Sequence, residues 1–176
     1  MEYVDNGRGI LVPEKLKGRG IYTGQIIRKG EVVDEFEFEN LVVNQGINSM
    51  LNVYLNAQAG ITNWFMGIFQ GNYTPVAGDT AATIATNATE CSSYTSSTRP
   101  QWQQAAASGQ AITNAATRAT FTFNASVTVY GAFLISNNVI GGTTGTLFSA
   151  AMFGAAKAVV TDDQLLLTYQ FSMSST

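Results

Sequence analysis

Two hydrophobic periods alternate along the chain and divide it into elements. Residues 21–29 and 31–43 read as a hairpin across the turn Arg28-Lys29-Gly30-Glu31. Its second arm places Phe36 and Phe38 on one face and Glu35, Glu37 and Glu39 on the other, the period of two that marks a strand with one wet face. Residues 44–57 then change to a helical period. Ile47, Met50, Leu51, Tyr54 and Leu55 form one apolar stripe that is expected to pack on the sheet, with Asn44 as the cap. From residue 61 the pattern returns to strands. Thr62–Phe69 reads as a buried strand, and Gln70–Gly78 as a loop. Residues 79–117 have weak periodicity and predict one or two short strands between extended loops. Four stronger strands follow, Thr117–Asn124, Val127–Ser136, Thr146–Phe153 and Gln164–Met173, separated by turn-forming Asn, Gly and Asp residues.

Strands at this spacing predict a mainly β protein. The expected fold is a β-sandwich, Ig-like or jelly-roll-like, with one short α-helix and an extended N-terminal arm. Residues 1–20 read as the arm, because Gly7, Gly9, Gly18, Gly20 and Pro13 break any period there. Within it only Ile10, Leu11 and Val12 offer apolar anchors. The domain then covers residues 21–176, including the hairpin 21–43 and the helix 44–57.

Charge changes this picture. Of 21 charged residues in the 176, 14 precede residue 40, and the other 137 positions carry seven: Asp79, Glu90, Arg99, Arg118, Lys157, Asp162 and Asp163. The surface of the body is therefore made largely of Thr, Ser, Asn, Gln, Gly and Ala. Few ions lose their water when such a surface is covered, which suits broad, permanent contacts with neighbours. The net charge of -3 argues against nucleic acid and against an anionic membrane. Met1-Glu2-Tyr3-Val4-Asp5 is too polar for an export signal, and the longest apolar stretch, near residues 147–160, falls short of the roughly 20 residues a spanning helix needs.

Candidate chemistry is sparse. The chain has no His and one Cys, which removes a His general base, a Ser-His-Asp triad, an internal disulfide and a Cys/His zinc site. No catalytic, cofactor or metal residue is expected. The acidic row of the hairpin reads as a solvated face that discourages edge pairing. Asp79, Asp162 and Asp163 read as turn caps rather than calcium ligands, and Cys91 as a small buried residue. Gly7-Arg8-Gly9 and Gly18-Arg19-Gly20 lack the spacing of a phosphate loop. The sequons at Asn72, Asn87 and Asn124 carry little in a chain this rich in Asn, Ser and Thr. Trp102 and Tyr94 are the candidates for an exposed aromatic contact.

Several segments in order resemble a known family. They are Asn40-Leu41-Val42-Val43-Asn44-Gln45-Gly46-Ile47-Asn48, Trp64–Phe69, Thr74-Pro75 with Asp79-Thr80-Ala81-Ala82, Thr120–Ala125 with Val129–Leu134, and Gly142–Leu147. Together they look like the small Ig-like β-domain structural proteins of tailed-bacteriophage virions, over residues 24–173. The resemblance implies no catalytic residues. It implies a decoration or cement protein that binds the major capsid protein as a homo-oligomer, a dimer or trimer, in a virion assembled in the bacterial cytoplasm. A neck, tail or fibre component is the alternative within the virion, and a carbohydrate-binding β-sandwich using Trp102 and Tyr94 the alternative outside it.

Overall fold

A computed structural model of the chain describes residues 3–5, 11–13 and 16–175. Two short strands, β1 (Tyr3–Asp5) and β2 (Leu11–Pro13), pair antiparallel. The body then opens with β3 (Leu16–Arg28), which turns through Lys29 and Gly30 into β4 (Glu31–Glu39). Both turn residues have positive φ, 53° and 86°, as a two-residue hairpin matching the strand twist requires. The alternation in β4 holds: Phe36 and Phe38 pack inward while Glu35, Glu37 and Glu39 are exposed.

The remaining elements are β5 (Leu41–Val42), α1 (Asn44–Leu55), β6 (Phe65–Phe69), α2 (Ile84–Asn87), β7 (Ala111–Thr113), β8 (Ala119–Thr122), β9 (Val127–Ile135), β10 (Leu147–Val159) and β11 (Gln164–Ser175). Two antiparallel sheets form from them. One runs β4-β3-β11-β7, with β8 also on β11; the other runs β5-β10-β9-β6. The expected mainly β fold of two packed sheets is the observed one.

Between the sheets lies an aromatic core that includes Tyr22, Phe121, Phe153, Leu167 and Tyr169. A second cluster occupies the opposite face of the four-stranded sheet, where Phe69, Phe133 and Ile135 meet Ala81, Ile84 and Ala88. That sheet is thus covered on both sides. Continuous burial of Gly131–Ile135 follows, in place of simple alternation. The cover is the segment around α2, a helical turn where only short strands were expected.

Two boundaries differ from the sequence reading. β3 begins at Leu16, inside the segment read as an arm, because Leu16–Gly20 pair with Phe171–Ser175 of β11. Asn44 is the first helical residue and not the cap. Val43 stands at the cap position with no side-chain bond, and the Asn44 N–H donates to the Ala77 carbonyl from a neighbouring loop (2.9 Å).

α1 also packs on a different face from the one expected. Its buried contact centres on Gly46, where an added Cβ would lie 2.4 Å from the Phe148 carbonyl oxygen of β10. Glycine lets helix and sheet approach backbone to backbone, and that approach turns Ser49, Met50 and Val53 toward the body. Ile47, Leu51, Tyr54 and Leu55 are left facing solvent, exposed by 41%, 51%, 84% and 81%. Gln45 locks this orientation: its Oε1 accepts from the N–H groups of Ala81 (2.9 Å) and Leu147 (2.8 Å).

Candidate functional site

The two sheets part at one end of the sandwich, beneath α1. A cavity of about 560 Å³ opens there, within the range of ligand sites. Met50 and Val53 of α1, Trp64, Trp102, Phe148 and Phe171 are among the residues of its wall. None of the described residues lining it is charged. Two of its polar wall groups are engaged: Trp102 Nε1 donates to the Tyr169 carbonyl (3.1 Å), and the Tyr169 hydroxyl accepts from Asn40 Nδ2 (3.0 Å). Tyr54 stands at the rim, so the cavity and the exposed stripe of α1 adjoin. The site offers apolar surface and shape, with Ser49, Tyr54 and Gln110 as further polar residues of its lining.

Trp102 and Tyr94, the candidates for an exposed aromatic contact, are not exposed. Both are buried, at 4% and 3% exposure. Trp102 is held by its bond to Tyr169 and by ring contact with that residue at 5.9 Å. Tyr94 meets Phe121 edge-on at 5.1 Å. Neither ring is the open stacking face that the carbohydrate reading used: Tyr94 lies in the core, and Trp102 borders the cavity at only 4% exposure. Of the arm anchors, Ile10 lies outside the described residues. Leu11 and Val12 belong to β2, and their side chains likewise lie outside the description.

Asn114 was missed entirely by sequence reasoning. Its side chain fills the gap between β7 and β8, where β11 would otherwise lack a partner. Oδ1 accepts from the Tyr169 N–H (2.8 Å), and Nδ2 donates to the Leu167 carbonyl (3.3 Å). A buried amide thereby imitates one residue of a strand. Nothing local in the sequence marks this role, because its partner lies 55 residues away.

The few charges of the body are mostly tied down. Arg99 and Glu90 form a buried bidentate pair, Nε–Oε1 and Nη2–Oε2 both 2.7 Å, with side-chain exposures of 0% and 3%. Arg99 Nη1 also donates to the Asn137 carbonyl (2.8 Å), and its guanidinium lies over the Phe133 ring at 5.3 Å. Lys157 pairs with Asp34 (2.9 Å) and covers the Phe36 ring. Arg28 grips Asp163 through two bonds (2.9 and 2.6 Å), which holds that carboxyl below the usual carboxylate range. Asp79 accepts from the Tyr73 hydroxyl and the Val76 N–H. Asp79, and Asp163, whose Oδ2 also accepts from the Val160 N–H, act as turn caps, as expected, whereas the Asp162 side chain is exposed and makes no such bond among the described residues. Burial pushes the Cys91 thiol up from its ordinary value, so its thiolate is disfavoured. Of the seven charges after residue 39, only Arg118 and Asp162 stand exposed.

No protein-family model matches this chain, and a comparison with curated proteins returns no match.

Proposed function

We propose that the chain is a non-enzymatic structural protein of a tailed-phage virion. In this reading it decorates and stabilises the capsid by binding the lattice of the major capsid protein as a homo-oligomer. The observation that carries the reading is the near absence of free ions beyond residue 39, joined to an exposed apolar helix. Five of the seven late charges are spent inside the fold, on Arg99–Glu90, on capping by Asp79 and Asp163, and on Lys157–Asp34. Apart from Arg118 and Asp162, what residues 40–175 leave outside is uncharged surface that neighbours can cover at small desolvation cost. Many modest interfaces of about 1,000–2,000 Å² each would then add up through multivalency against internal DNA pressure. The family resemblance of residues 24–173 supports the same reading.

Copy number in purified particles tests it. A decoration protein gives band intensities on the order of hundreds of copies per particle, as repeated lattice sites demand. A count near a dozen moves the protein to the neck, tail or a fibre, and its absence from particles overturns the reading. Deleting residues 1–15, which leaves β3 whole, is expected to abolish particle binding while circular dichroism of the body is unchanged. Normal decoration by that truncation overturns the role of the arm.

A further inference from the structure

We infer that the exposed stripe of α1, together with the mouth of the adjoining cavity, is the contact surface between copies of this chain. The inference rests on the assembly reading for its biological role, and on the following geometry for its physics.

Ile47, Leu51, Tyr54 and Leu55 lie on one side of a helix whose buried side is fixed by Gly46 and Gln45. Rotating the helix to hide the stripe would break the Gln45 bonds and lose the backbone approach at Phe148. The exposure is thus built into the fold. At about 200 Å² for each large side chain, the observed exposures amount to roughly 500 Å² of apolar surface on these four residues. That is the size of the largest apolar patch on a typical monomer, which is often functional, and a standard interface needs about 800 Å² per partner. The cavity mouth beyond Tyr54, bordered by Gly60 and Ile61, adds further uncharged area to the patch.

Charge selects the occupant. No Asp, Glu, Lys or Arg occurs between Asn40 and Gly78, which spans α1, both flanking loops and β6. A membrane-surface helix recruits anionic lipid through Lys and Arg on its polar face; α1 has none. A nucleic acid would likewise find no cation. A second copy brings the same neutral, apolar face, so the contact has no like-charge repulsion and no ion to desolvate. The partly open cavity gives an apolar side chain of that copy a place to seat, between residues that include Trp64, Met50 and Phe171.

The test is sedimentation velocity of the full chain across a concentration series, with Leu51→Glu/Leu55→Glu as the variant. Both positions are exposed and Glu favours helix, so folding is retained and checked by thermal melting. The expected result is a wild-type oligomer, self-association at least 100-fold weaker in the variant, and full retention in Leu51→Met/Leu55→Met. An added charge on another face, Ala156→Glu, is expected to leave the oligomer intact. A monomeric wild type, or an oligomer indifferent to the double Glu variant, overturns the inference, as does a monomer that binds particles through these residues. A wild-type oligomer that the double variant dissociates but that never joins particles would instead sink the virion reading and leave this contact standing.

Discussion

Arg99 heads the fully buried side chains by size, and its partner Glu90 is buried with it. A pair so placed gains little over a hydrophobic substitute, yet breaking it leaves an ion without water or partner. Arg99→Ala is expected to cost about 3–5 kcal/mol in urea unfolding, more than a matched replacement of both residues. The loss would reach the loop that Arg99 and Glu90 hold at Asn137 and Gly141. Asp163 makes a different prediction. Arg28 lowers its folded pKa, so its contribution is complete above the unfolded value of about 3.9 and is lost as pH falls through the folded value. Acid unfolding curves should show this loss, and Asp163→Asn should flatten the dependence below about pH 4. Cys91, buried and with its thiol pushed up, is expected to react with a thiol reagent only when the chain unfolds; fast labelling of native protein would contradict its burial.

Among the elements, β11 depends most on side chains borrowed from elsewhere. Asn114→Ala strands the Leu167 carbonyl and the Tyr169 N–H inside the sheet, and is expected to cost about 1–3 kcal/mol by chemical denaturation. β4 and β11 were legible in the sequence because one wet or half-wet face imposes strict alternation. β9 was legible as a strand but not as a two-sided one, since its second cover, α2, comes from a stretch without periodicity. The helix shows most clearly where reading stopped. Its stripe was visible, but periodicity says only that apolar residues share a side. Which side meets the sheet is decided by Gly46, and that needs the position of Phe148. Trp102 and Tyr94 looked like loop aromatics because the acceptor of one and the ring partner of the other are distant in sequence. The candidate site was therefore legible in its materials and hidden in its assembly.

At the scale of the whole molecule, charge is sorted into one region. Glu31, Glu35, Glu37 and Glu39 lie along the edge strand β4, while α1 and its surroundings hold no ions. The acidic edge resists strand addition, and the neutral end invites contact. Raising salt is accordingly expected to leave self-association through α1 undiminished, since there are no ion pairs there to screen; marked dissociation in salt would point to the charged edge instead. The pairing of Leu16 with Ser175 has a practical corollary. These two positions are cross-strand neighbours, so a short linker can join them, and new termini can be opened in the exposed stretch 103–108. Such a circular permutant would carry residues 1–15 to a different point on the surface with their length intact. It would thereby separate what the arm is made of from where it is tethered.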